Sequence, residues 1–467
     1  MSGRLSRRSF LKQGAVAATG LGALWLAACA PAAPSTGGQS GAPAAAGGAP
    51  VPALLRAGGG EEKYFNQVID IFEKQNPDTK INRIFVPGGQ DYITKLDLMI
   101  ASGDPPAIYA PFSNRGYRYY AAKGLSQELD DFATRDNLNL KDFHADGLKG
   151  CHWNGKLMAL PLDLWPHVIF YNKTMFKEAG VDPLPTDWND KTWTTDKYLE
   201  IAKKLTKREG DNVTQFGSNT YFTNWETGWA LGGDWWPLNT YETGIIAEFT
   251  GDKDDKVINA MQWAADLMLK EKVAPTPAQA QQLQVGVSTP FFMSNKVAME
   301  IGNIGSLSQY ATIDKFEWGV APAPFPPDGS PRHLHVWIDF WSMIKGVKNL
   351  EGSWKFLKFM VSADAQKIYP IEYGPQSALL SLGQYWIDKQ KSTLSKLSAD
   401  ELKVMTEAPK YEQIDPENWT VNMSVVDSEA LEPAIQKIWL GQGTAKDIIT
   451  QAAADIRQKI DESKKVG

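Results

Sequence analysis

The chain reads as an α/β protein with mixed, mainly parallel sheets, and three observations carry that reading. Segments of helical period alternate with segments of strand period from Glu61 to Ala110, the pattern that builds α/β lobes. The composition, 43% hydrophobic, 11% aromatic and 22% charged, is that of a globular chain and argues against a disordered or fibrous one. Finally, 467 residues suffice for two or three domain-sized units with sizeable cores.

In chain order, the first element is an address. Ser6-Arg7-Arg8-Ser9-Phe10-Leu11-Lys12 is a twin-arginine export pattern, followed by a weakly apolar run from Gly14 to Ala28. That run is shorter than the ~20 residues a spanning helix needs. It ends in Leu26-Ala27-Ala28-Cys29, which resembles the lipobox of bacterial lipoproteins, so residues 1–28 read as a cleaved signal and Cys29 as the lipidation site. Residues 29–52 are uncharged and rich in Ala, Gly, Pro and Ser; they cannot build a core and read as a flexible tether with a reach on the order of 25–30 Å. The expected location is therefore an exported, membrane-anchored lipoprotein facing the extracellular space or periplasm. The other cysteine, Cys151, then has no intramolecular partner and reads as a small buried hydrophobe.

The body follows. Glu61 to Gln75 places Tyr64, Phe65, Val68, Ile69 and Phe72 on one helical stripe, stopped by Asn76-Pro77-Asp78. Lys80 to Val86 alternates as a strand, and Pro87-Gly88-Gly89 turns the chain. Asp91 to Ala101 is helical, and Ala107 to Ala110 is a short buried strand. Parallel sheets bind ligands at the carboxyl ends of their strands, which singles out the loops after Val86 and Ala110.

Charge narrows the partners. Formal net charge is −6, from 48 Lys+Arg against 54 Asp+Glu, and the first 28 residues hold four bases and no acid, so the remainder is more acidic than the whole. There is no basic stripe of the kind that holds nucleic acid.

Six motifs in order resemble those of the extracellular solute-binding proteins of ABC importers, in their maltose-binding-like carbohydrate branch. They are Ile100-Ala101-Ser102-Gly103-Asp104-Pro105-Pro106; Asn154 to Pro161; Ile169-Phe170-Tyr171-Asn172-Lys173-Thr174-Met175-Phe176; Asn295-Lys296-Val297-Ala298-Met299; Ala321 to Pro326; and Lys348 to Phe359. They run from Ile100 to Phe359, and the resemblance as a whole extends over about 50 to 460. The resemblance implies a two-lobed, periplasmic-binding-protein-like fold of type II with the ligand cleft at its hinge. Lobe 1 would hold 53–163 and 323–372, and lobe 2 would hold 164–322 and 373–467. The chain would cross near Asp163-Leu164-Trp165, Ala321-Pro322 and Tyr373-Gly374. The partners implied are a carbohydrate and the transmembrane subunits of a permease, with the receptor a monomer that carries no cofactor.

A sugar site needs aromatic platforms for apolar ring faces and polar side chains for the hydroxyl rim. Thr220 to Trp229 and Gly232 to Trp236 are dense in both, which makes Tyr221, Trp225 and Trp235 candidates; Tyr221 also matches the family's sugar-stacking tyrosine. Trp225 and Trp229, at i and i+4, fit a helix face packed on the core equally well. His335 to Ser342 alternates so that His335, Trp337, Asp339 and Trp341 share a face, and the resemblance favours His335 and Trp337 as ligand contacts. Gly89 and Gln90 follow one strand end, and Ser113, Asn114 and Arg115 another. Asp163, Trp165 and Tyr373 sit at crossings. Asn303 lies where the family usually places a tryptophan that this chain lacks, and Trp419 lies close to the place of a second missing aromatic.

Enzyme and metal patterns are weak. His333-x-His335 lacks a third ligand in sequence, Asp252, Asp254 and Asp255 lack the rest of a calcium loop, and no Lys-Ser/Thr follows Gly58-Gly59-Gly60. Asp163 and Asp339 could serve a glycosidase only if they flank a bond at about 5–9.5 Å. The expected function is a non-enzymatic sugar receptor. The rivals are the same fold holding a polyamine, peptide or other cation, and a surface carbohydrate-active enzyme or lectin.

Overall fold

The computed structural model describes residues 48–58, 60–110, 116–219, 224–283, 291–414 and 419–464. The first strand, β1 (Val51–Arg56), is apolar on both faces, with Val51, Ala53, Leu54 and Leu55 all buried, and such a strand must be central. It lies between β2 (Ile81–Val86) and β3 (Ile108–Tyr109), parallel to both. The strand thus begins two residues inside the stretch read as tether, with Pro52 in register with Asn82. The reason is the partner: β2 offers a ladder that lets the Val-Pro-Ala-Leu-Leu run bury itself. The helix Glu61–Gln75 lays Phe65, Val68, Ile69 and Phe72 on this sheet, as its periodicity predicts. The helix Gln90–Ala101 buries Tyr92, Ile93 and Leu96, and the Tyr92 hydroxyl donates to the Leu54 carbonyl at 2.8 Å.

Two small hairpins, β4 (His152–Trp153) with β5 (Lys156–Leu157) and β7 (Lys207–Glu209) with β8 (Asn212–Gln215), stand apart from the main sheet. The first turns through Asn154 and Gly155 at φ 50° and 74°, the left-handed pair that a two-residue hairpin favours.

The long strand β6 (Ala159–Asn172) organises the rest. Its first half runs antiparallel to β11 (Leu334–Met343), and its second half runs antiparallel to β9 (Met299–Asn303) and β10 (Trp318–Ala321). The main path reads β10-β6-β11-β3-β1-β2, with β12 (Gln376–Ser377) joining β6 and β13 (Glu412–Ile414) joining β11 in parallel. The sheet is therefore mixed: parallel at β2-β1-β3 and antiparallel wherever β6 takes part. Asp163, Leu164 and Trp165 still pair with β11, with β12 on the other side of Asp163 and Leu164, and β6 changes partner from β11 to β9 between Pro166 and His167.

Candidate functional site

Arg56 ends β1, and Glu61 opens the following helix, where an acid complements the helix dipole. The guanidinium reaches three groups: Nε lies 3.0 Å from Glu61 Oε1, and Nη2 donates to Asp339 Oδ2 at 3.0 Å and to the Tyr369 hydroxyl at 2.6 Å. Tyr369 in turn donates to Glu61 Oε1 at 2.8 Å. Asp163 stands directly opposite Asp339 in the β6–β11 ladder. Its Oδ1 accepts from the Trp165 indole at 2.8 Å, and its Oδ2, fully buried, has no hydrogen-bond partner among the described residues.

Three carboxylates thus converge on one described cation. Burial pushes Asp163 well above the usual carboxylate range, and the neighbouring Asp339 charge adds to the effect. Asp339 and Glu61 are also raised by burial, with Arg56 pulling both back. Burial opposes the charge on Arg56, but Tyr369, Asp339 and Glu61 overcome it and hold the guanidinium firmly protonated. Two acids side by side in one ladder oppose each other's ionisation.

Aromatic rings border this cluster. Trp165 and Trp337 are cross-strand partners, and Trp337 is 42% exposed. Tyr373 stands edge-on to Trp165 and to Tyr64, with centroids 6.0 Å apart in each pair. Trp165 is held from a second side: Asn303 donates to its carbonyl at 2.9 Å and accepts from the Gly305 N–H at 2.7 Å. A Cβ on Gly305 would fall 2.8 Å from the Trp165 ring, so the close approach requires glycine. Asn303 is thereby a support for Trp165.

Behind Trp337 lies a second polar group. His335 is fully buried, with Nδ1 2.7 Å from Glu226 Oε1, and its ring stacks on His167 at 5.1 Å. His167 Nδ1–H donates to the His335 carbonyl at 2.7 Å, and burial followed by the His335 charge lowers His167 to about 4. Burial would raise Glu226, but His335 outweighs it and keeps the carboxylate ionised.

The structure therefore gathers Asp163, Trp165, Tyr373, Asn303 and Trp337 in one place. It places His335 in the layer behind, as a partner of Glu226. Trp225 and Trp235 are corrections: both are buried in the core, Trp225 edge-on to Trp229 at 4.9 Å and Trp235 stacked on Phe249 at 6.1 Å with its indole donating to the Trp225 carbonyl. Their packing follows the tight turn of residues 225–229, where a Cβ on Gly228 would meet the Trp235 ring at 2.5 Å. Gly89, at φ 70°, and the exposed Gln90 start the helix Gln90–Ala101, while their neighbour Gly88 borders Arg56, a Cβ there falling 3.8 Å from Arg56 Cδ. Cys29, Ser113, Asn114, Arg115 and Tyr221 lie outside the described residues. Arg56, Glu61, Tyr64 and Tyr369 are the residues that the sequence reading missed. A usable signal existed for the first two: an arginine closing an apolar run, then glycines, then an acid at a helix start.

Residues 57–367 match the family model of the bacterial extracellular solute-binding proteins. The chain is similar to the multiple sugar-binding protein of Streptococcus mutans, 25% identical over 342 residues that cover 67% of this chain and 74% of that one. Among solved structures it is similar to an ABC substrate-binding protein of Listeria monocytogenes in complex with cycloalternan, at TM-score 0.70 and 21% identity over 88% of this chain and 99% of that one. It is also similar to the cyclic α-maltosyl-1,6-maltose binding protein of Arthrobacter globiformis, at TM-score 0.70 and 19% identity over 89% and 100%. The fold is accordingly two-lobed and periplasmic-binding-protein-like. With its ordered motifs and two-thirds of its length matched, the chain belongs to the bacterial extracellular solute-binding protein family, whose members are exported binding proteins.

Proposed function

We propose that this protein is the receptor of an ABC importer that holds a sugar or oligosaccharide between its lobes and delivers it to the membrane permease. The observation that carries the reading is the double cross-strand pair, Trp165 opposite Trp337 and Asp163 opposite Asp339, which sets aromatic faces beside carboxyl groups. Pyranose rings offer apolar C–H faces and hydroxyl rims, and this pairing matches both. The sugars bound by the Streptococcus, Listeria and Arthrobacter proteins support the same class of ligand. Lobe 1 is assigned 53–163 plus 323–372 and lobe 2 164–322 plus 373–467, with the ligand shifting the population toward a closed form. Cys29 is assigned as the lipid anchor behind a twin-arginine signal, and the receptor acts as a monomer.

A binding role suits the acids better than catalysis. Asp163 and Asp339 are ladder neighbours that share one wall, whereas a glycosidase sets its two carboxyl groups on either side of the bond it breaks. Calorimetry and thermal shift against neutral mono- and oligosaccharides test the reading. A saturating sugar at a hundredfold its Kd is expected to stabilise the protein by about 2.7 kcal/mol. Stabilisation by polyamines or peptides alone, or hydrolysis of an added oligosaccharide, would overturn it.

A further inference from the structure

Arg118 occupies an unusual position for a charged side chain. It is 2% exposed, and its guanidinium meets only neutral oxygens: Nη1 donates to the Trp419 carbonyl at 3.0 Å, Nη2 to the His152 carbonyl at 2.7 Å and Nε to the Tyr117 hydroxyl at 3.2 Å. Its plane lies 5.1 Å from the Trp419 ring. No carboxylate pairs with it among the described residues. A buried cation without a counter-charge is costly, and carbonyl dipoles answer its hydrogen bonds but not its charge.

The same guanidinium lines a cavity of about 1030 Å³. One wall is the segment 140–155 and the other the segment 241–245. Phe143, Leu148, Tyr241 and Ile245 give it an apolar lining large enough for one or more sugar-sized rings. Lys141 and Lys149 stand on its rim, both exposed and in no ion pair among the described residues, and the one carboxylate in the lining is Glu242. The helix Ala145–Gly150 beneath this cavity packs on Ile338 and Phe340, where Cβ atoms on Gly147 and Gly150 would approach to 3.4 and 3.2 Å. Those residues alternate with Asp339 along β11, so the cavity and the Asp163–Asp339 cluster belong to different faces of that strand.

We infer that this cavity is a second binding site, for a ring compound bearing an oxyanion, with Arg118 supplying the buried charge and Lys141 and Lys149 the rim charges. The ring rests on Phe143, Leu148 and Tyr241, and the carboxylate or phosphate of the ligand provides an anion that the described residues do not. Uronic acids and sugar phosphates share this chemistry.

Calorimetry on the full chain with galacturonate oligomers, glucose 6-phosphate, inorganic phosphate and neutral glucose separates the sources. At least one anionic sugar is expected to bind saturably, more weakly as salt rises, while glucose gives no heat assignable to this cavity. Lys141→Gln with Lys149→Gln, both surface changes that spare the fold, is expected to weaken that binding at least tenfold. Trp337→Ala, which disables the proposed sugar cleft, should leave it within twofold. Absence of saturable binding by every anionic probe overturns the proposal, as does binding that the lysine pair does not affect. Loss of anion binding in Trp337→Ala also overturns it, because the anion would then sit in the cleft.

Discussion

Arg56 and Arg118 are both largely withdrawn from solvent, and their surroundings are opposite. Arg56 is shared by Glu61, Asp339 and Tyr369 with Asp163 close by, so acids exceed the described cation. Arg118 is held by two carbonyls and a hydroxyl, and no carboxylate answers its charge among the described residues. Hydrogen-bond counts make the two look alike, since each guanidinium is engaged on several sides. Charge separates them: hydrogen bonds satisfy geometry, while the sign and size of the local field decide what a site attracts.

Removing each guanidinium should break the comparison most sharply. Arg56→Met leaves Glu61 and Asp339 buried without their cation, and is expected to cost about 3–5 kcal/mol at pH 7. The sign with pH follows from the carboxylates. Without Arg56 their folded pKa values rise further above the unfolded ones, so the loss is full at neutral pH and shrinks as pH falls toward about 4, where both states are protonated. Arg118→Met removes donors from carbonyls and strands no charge; it is expected to cost about 1–3 kcal/mol with little dependence on pH. Denaturant melts of both variants at pH 4.5 and 7.5 check this, and parallel pH profiles would contradict it.

Another buried acid has no cation paired with it among the described residues. Glu300, on β9, is raised to about 7 by burial, with the Tyr310 hydroxyl at 3.0 Å and a backbone contact to Phe292 partly offsetting it. The folded state therefore binds this proton more tightly than the unfolded state. Its contribution to stability is complete below about 4.5 and is lost as pH rises through about 7. Glu300→Gln keeps an acceptor for Tyr310 and removes the charge. It is expected to raise stability by on the order of 2–3 kcal/mol at pH 8 and to change it little at pH 4. Melting temperature against pH for the two proteins checks the slope.

Binding effects come next in size. Trp337→Ala removes an exposed ring, and is expected to weaken sugar binding ten- to a hundredfold while shifting stability by less than about 1 kcal/mol. Trp235→Ala, in the core, should cost stability instead, by about 3–5 kcal/mol. Fluorescence titration together with melts distinguishes the two tryptophans.

That contrast also marks where sequence reasoning succeeds. The stripe Tyr64, Phe65, Val68, Ile69, Phe72 and the alternation of Lys80–Val86 each report a local period, and the helix and strand fall within one or two residues of expectation. Asp163, Trp165 and Trp337 are candidates from the sequence alone, and the β6–β11 ladder sets them side by side, Trp165 opposite Trp337 and Asp163 opposite Asp339. Trp225 and Trp235 were misassigned because density of aromatics is the same signal in a core and in a cleft. The local signal at Arg56 shows an arginine ahead of a helix-opening acid but not its pairing with Asp339, 283 positions away, and Arg118 gives no local signal because its partner Trp419 lies 301 positions away.

The finest test addresses how Trp165 is set. Its ring lies where a Cβ on Gly305 would intrude to 2.8 Å, and the same Cβ would come within 2.9 Å of Asn303 Oδ1. Gly305→Ala should therefore tilt the indole, loosening its bond to Asp163, and weaken sugar binding about three- to tenfold. In a Trp165→Phe background the smaller ring leaves room, so the same change should cost less than threefold. The coupling between the two positions is then roughly 0.5–1 kcal/mol, within the range measured for contacting residues. Additive losses would mean that Gly305 acts on Asn303 or the backbone rather than on the ring. Equal affinities in all four proteins would mean that Trp165 does not touch the sugar, and would leave Trp337 as the platform to examine.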